Sequence, residues 1–139
     1  MRTGERGSAA VEAAVGVPAF LLFVGLIIFA GRMALAHNAI DAAAAEAART
    51  ASIARDSGEA SAEARAAAMS TLRNQNVHCR SSNVHVDTSG FAAPLGTGAH
   101  VTASVTCLVN LSDLSVPGVP GAKRVRSTAT SPIDTYRGR

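Results

Sequence analysis

From Ala13 to Gly31 the chain carries nineteen consecutive residues without a charge, AAVGVPAFLLFVGLIIFAG. At about 1.5 Å per residue a helix of that length reaches about 28 Å, close to the roughly 30 Å hydrocarbon core of a bilayer. It is long for the apolar region of a secretory signal and suits a membrane-spanning helix. Glu12 stands at the start of the run. A carboxylate at a bilayer centre costs roughly 2.5–3.5 kcal/mol and less near the edge, so an acid in this place calls for a partner. The alternative is that Glu12 lies at the interface and reaches into the headgroups.

The residues before the run are short and charged: Arg2, Glu5 and Arg6, then Gly7 and Ser8. A charged leader, a Gly, four small or apolar residues and then Glu resembles the class III signal of type IV pilins and pseudopilins. The wider stretch RGSAAVEAAVGVPAFLLFVGLIIFAGR, followed by an alanine-rich helix and a small β region, is similar to the TadE-like family, minor pseudopilins of Flp/Tad pilus systems. The likeness is close over about the first 55 residues and beyond them is one of layout. It implies that a prepilin peptidase cuts between Gly7 and Ser8 on the cytoplasmic side, making Glu12 the fifth residue of the mature chain. It also implies an assembly role for Glu12, and as partners other pilins or pseudopilins, the Tad inner-membrane assembly platform and the lipid bilayer. The location implied is the cytoplasmic membrane and, through the pilus, the cell surface of a bacterium.

The chemistry of the pair can be stated without the family. Cleavage after Gly7 frees an α-amine on Ser8 with a pKa near 8 in water. Ammonium and carboxylate at one membrane depth relieve each other's desolvation. Within one helix they lie a turn apart; between staggered neighbours they pair in trans and set the register of subunits.

Orientation follows from the basic flanks. Arg2, Arg6 and the initial amine precede the run and Arg32 follows it, which points the N-terminus to the cytoplasm and the rest outward. The two cysteines, Cys79 and Cys107, then fall in an oxidising compartment, and their even number favours one disulfide over two buried thiols. Pro18 lies inside the apolar run, removes one backbone hydrogen bond and is expected to kink the transmembrane helix. Gly16, Gly25 and Gly31 offer small surfaces for helix contact, or are ordinary membrane-helix glycines.

Beyond Gly31 no Gly or Pro interrupts until Ser57-Gly58, and alanine dominates, so the helix is expected to continue to about Arg55. Ile40, Ala44, Ala47, Ala51 and Ala54 recur at helical spacing as a shallow inner face. Asp56 or Ser57 caps a second helix over about 59–74, with Ala60, Ala64, Ala67, Ala68 and Leu72 inward. From Val77 the period changes to two. Three half-buried strands follow, around 84–86, 101–109 and 125–129, the middle one longest and the last ended by Pro132. Matching the inner faces of the first two strands needs paired numbers with an odd sum, whereas Cys79 opposite Cys107 gives an even one. Either a bulge intervenes or Cys79 precedes the ladder, and the latter is expected.

The fold class is therefore α+β and pilin-like: a long N-terminal transmembrane helix continuing into an exported head, a second alanine-rich helix and a three-stranded antiparallel sheet. The expected divisions are a leader at 1–7, the span at 8–31, exported helices at 32–76, a β domain at 77–131 and a fraying tail at 132–139. With no Trp and three of five aromatics in the apolar run (Phe20, Phe23 and Phe29), the head must build its core from Ala, Val, Ile and Leu.

No enzyme is expected. His37, His78, His85 and His100 lack close metal spacing, and His85 and His100, though candidates to face one another across a hairpin, read as solvated strand residues. The cysteines are not in a CxxC pair. The loop at Gly96 and Gly98 lacks a following Lys-Ser/Thr, and Asn110-Leu111-Ser112 is a lone sequon. No cofactor or metal is expected. A net charge of +3, with Lys123, Arg124 and Arg126 as the local cluster, gives no broad basic face with aromatics for nucleic acid. Two rivals share the apolar run. In one, Ala34-Leu35-Ala36 is a signal-peptidase site and the product is secreted. In the other the chain is an unprocessed single-span anchor for an extracellular interaction domain.

Overall fold

The computed structural model describes residues 5–113 and 121–136. Arg2 with the start of the leader, the part of the last strand connection holding Pro117 and Pro120, and residues 137–139 lie outside the described residues. The architecture is α+β: two helices, then a three-stranded antiparallel sheet in the order β1-β2-β3.

Helix α1 (Glu5–Ile53) runs unbroken through Pro18 for 49 residues, about 73 Å. It begins three residues earlier than expected, so the Gly7–Ser8 bond lies within its first turns. Helix α2 (Ser57–Asn74) follows a short turn, so the two helices pack antiparallel. Asp56 is the N-cap: its carboxylate accepts the Glu59 amide at 2.9 Å, and Glu59 reaches back to the Arg55 amide at 2.8 Å. Gly58 is absorbed into the first turn rather than preceding it. At the other end Asn76 takes a left-handed φ of 54°. The amides of Asn76 and Val77 then close onto the carbonyls of Arg73 and Leu72, each at 3.0 Å, the Schellman arrangement.

The packed faces are made of alanine. Ile40, Ala44, Ala47, Ala51 and Ala54 are buried on α1, and Ala60, Ala64, Ala68 and Leu72 on α2; Ala67 is half-buried. Side chains this small let the helices and sheet approach closely, which supplies dispersion contact in place of bulk. Ser52 is buried within the same face. Its hydroxyl donates to the Arg49 carbonyl at 2.7 Å and accepts from Ser131 of β3 at 3.1 Å, tying the top of α1 to the sheet.

Strands β1 (Cys79–Asp87), β2 (Ala99–Asn110) and β3 (Ala122–Ile133) form a meander. Val101, Ala103, Val105, Cys107 and Val109 face the helices. On the outer face Thr102 bonds Thr130 at 3.1 Å and Ser104 bonds Thr128 at 2.9 Å. Pairing of Val84 with Val105 carries the expected odd-sum register through most of β1. The expectation that Cys79 precedes the ladder is corrected. Cys79 pairs with Val109, and a bulge between Cys79 and Ser81 absorbs the one-residue conflict, turning Cys79 back to the inner face. A disulfide joins Cys79 to Cys107 across 5.4 Å between Cα atoms.

Two further corrections concern β3. It does not stop at Pro132 but runs to Ile133, with Pro132 opposite His100, and it equals β2 in length at 12 residues. As an edge strand it accommodates a residue without an N–H where that group would point away from the ladder. Beyond it the Gly96 amide donates to the Thr135 carbonyl at 3.2 Å and the Tyr136 amide to the Asp134 carboxylate at 3.0 Å, Tyr136 stays exposed, and the rest of the expected tail lies outside the described residues.

The β1–β2 connection holds a 3-10 turn at Ser89–Ala92. Asp87 accepts from the Ser89 amide at 3.0 Å. That bond first, then the Ser89 hydroxyl and the nearby His85, hold its carboxyl below the ordinary value. Gly90 sits where a Cβ would strike the backbone carbonyl oxygen of His100 and press on Ile133 Cδ1 at 3.0 Å. Backbone cannot yield as a side-chain tip can. Gly90→Ala should therefore destabilise the head by about 1–3 kcal/mol. Denaturant unfolding of the full chain in detergent micelles measures this, and an unchanged midpoint contradicts it.

Candidate functional site

The unusual part of the molecule is the N-terminal half of α1. Val15, Phe20, Leu22 and Phe23 are each at least 60 % exposed, and no described residue of the head covers them. Contiguous apolar surface of this extent marks contact with lipid or protein. By length and composition α1 is able to cross a membrane as a single-pass anchor.

Ser8 and Glu12 are four residues apart on this helix and both exposed, so they share one face. Gly7, Gly16, Gly25 and Gly31 each have open space where a Cβ would go. Among the described residues nothing stands against a side chain at these positions. Pro18 stands within the helix with α-structure on both sides.

The cysteines are committed to the disulfide, leaving no free thiol. The register sets His85 opposite Ser104 and His100 opposite Pro132, so these two imidazoles do not face each other. Among the described residues no group of three or more His, Cys, Asp or Glu side chains is arranged to hold a metal ion.

One feature of the head escaped the sequence. A cleft of about 370 Å³ lies where α1 leaves its apolar run, lined by Arg32, Leu35, Asn38, Gln75, His78 and Val109. Its walls come from three elements far apart in the chain, so no linear pattern announces it. Only the antiparallel return of α2 and the strand register bring them together.

These features define a class: a small α+β head carried on one long helix whose exposed half is fit to span a membrane. Residues 7–49, under a third of the chain, match the family model described as TadE-like protein. The match covers Gly7 to Glu12, the apolar run and most of the alanine-rich continuation of α1. No curated protein and no solved structure matches the chain.

Proposed function

We propose that this protein is a membrane-anchored minor pseudopilin of an Flp/Tad-type pilus system, and that its activity is assembly rather than catalysis. The observation that carries this reading is the bare apolar half of α1, which falls within the TadE-like match over residues 7–49 and is covered by no described residue of the head. A prepilin peptidase removes residues 1–7 by cutting after Gly7, and the mature chain begins at Ser8. The N-terminus lies in the cytoplasm and the head outside. Residues 8–31 then bundle with other pilin helices, and the Tad assembly platform receives the subunit.

The charges supply the register. An isolated carboxylate in the bilayer is costly, and so is an isolated ammonium. A subunit displaced along the membrane normal so that its Ser8 amine meets the Glu12 carboxylate of a neighbour relieves both. The open space around Gly7 is compatible with the cleavage reading: no described residue stands within contact of a side chain there, which leaves the position accessible to the peptidase. Glycine is also the weakest helix former here apart from proline, about 1 kcal/mol below alanine, which eases unwinding of the first turns for cleavage.

The secreted-protein rival loses support from packing. Ala36 is buried, and Phe29 and Met33 pack against the head core, so a cut after Ala36 would strip part of that core away.

Co-expression with a prepilin peptidase, followed by intact mass of the membrane-extracted product, tests the proposal. The expected product lacks residues 1–7, and Gly7→Leu keeps them. Glu12→Gln is expected to be processed normally yet to abolish incorporation into, or initiation of, the filament. A product lacking residues 1–36 establishes the secreted rival. Identical masses for wild type and Gly7→Leu, both full-length, establish the unprocessed anchor.

A further inference from the structure

The head has two ends. The Ser131–Ser52 contact marks the end far from the apolar run. At the near end the register gathers Cys79, Val109 and Lys123, and Val109 shares the cleft with Arg32, Leu35 and His78. That near end is basic. Arg124 pairs with Leu108 on the outer face and Arg80 occupies the bulge beside Cys79, while Arg126, opposite Thr106 near mid-strand, donates toward the Ser104 hydroxyl at 3.5 Å and stands apart from the base. All of these cations are exposed. The one acid in the three strands, Asp87, is at the far end; Asp113 follows β2 at the near end.

A second observation sets how close this end comes to the bilayer. Phe29 and Met33 are half-buried against the head core, yet Phe29 belongs to the charge-free run. That run is about 28 Å long against a roughly 30 Å core, so it has no residues to spare. The head cannot be lifted clear by drawing the helix outward without removing the span from lipid. Arg32 therefore falls in the headgroup layer, about 5–8 Å thick on each side, and Asn38, the upper lip of the cleft, lies about 9 Å above it.

We propose that the base of the head is a docking surface for the anionic phospholipid headgroups of the membrane that α1 spans, with Arg32, His78, Arg80, Lys123 and Arg124 meeting the lipid phosphates. It rests on the reading of α1 as a membrane span. Guanidinium forks match phosphate oxygens in pairs. The attraction acts over about a Debye length, 8–10 Å in ordinary salt, which is the depth of the base.

The chain contains no Trp, so one can be introduced as a reporter. Full-length Ser81→Trp, at the base, and Thr130→Trp, near the far end, are each placed in nanodiscs carrying a nitroxide headgroup lipid. The discs are phosphatidylcholine alone or mixed with phosphatidylglycerol. Quenching of the Ser81→Trp reporter should rise roughly twofold with phosphatidylglycerol and return in molar salt, where the Debye length is about 3 Å. Thr130→Trp should not respond. Adding Arg80→Gln and Arg124→Gln to Ser81→Trp should remove the rise. Equal quenching in both lipids overturns the proposal, as does a rise that survives the arginine changes. Incorporation into discs of phosphatidylcholine alone reads the span separately. A chain that enters them without a lipid response loses only the docking surface; one that fails to enter loses the anchor as well.

Discussion

Ile40→Ala should cost the head about 2–5 kcal/mol, the largest loss expected from any one apolar truncation on α1. Ile40 is fully buried, and among the fully buried side chains only it and Leu72 exceed valine in size. The rest of the core cluster is dominated by alanine and valine. An alanine core can neither collapse into a new void nor fill it from a neighbouring long side chain, so the cavity term should be felt almost whole. Small domains start from stabilities at the low end of about 5–15 kcal/mol, and the loss is a large share of that. Amide exchange across Val101–Val109 in the full chain, held in detergent micelles, should accelerate roughly thirtyfold or more. Ile40→Val, which keeps most of the volume, should cost about 0.5–1.5 kcal/mol. Leu22→Ala, in the exposed apolar half, should leave head exchange untouched. Equal effects from the Ile40→Ala and Leu22→Ala changes would mean that the head does not fold around α1.

The paired change Cys79→Ser with Cys107→Ser should remove about 3–4 kcal/mol, from the loop entropy of a 28-residue separation. Cys107 is fully buried in the middle of the inner face, so the serine left there adds a polar group without water around it. The bond also spans the bulge at Arg80, where ladder pairing is interrupted between Cys79 and Ser81. Loss should therefore be local first. Exchange should rise at Arg80–Ser82 before it rises at Val101–Val105, and the pair variant should show this as two separate steps. A single cooperative transition with an unchanged midpoint would show the bond to be redundant with the packing.

How legible these features were depends on how local their cause is. The apolar run of α1 and the period-two strands declare themselves because polarity alternates visibly along the chain. The inner faces were harder. Ala36, Ala39, Ala43 and Ala48 are buried while Ala45 is exposed, and alanine carries no polarity signal to tell these cases apart. The bulge at Arg80 was visible only as a contradiction between two sums, and sequence offers no means of choosing between a bulge and a late start. Continuation of β3 through Pro132 depends on that strand being at the edge, a property of the sheet and not of the residue. The cleft is the clearest case of the nonlocal: Arg32, His78 and Val109 come from distant parts of the chain and meet only after the chain has turned back three times.

Because α1 is helical without a break from Glu5 to Ile53, no non-helical joint lies between Glu12 and the head. A contact that turns the outer part about the long axis therefore turns the Glu12 carboxylate with it, some 60 Å away. In the proposed membrane setting, azimuth inside the lipid is dictated from outside it, and under the proposed pairing whichever surface grips the head also aims Glu12 at its neighbour.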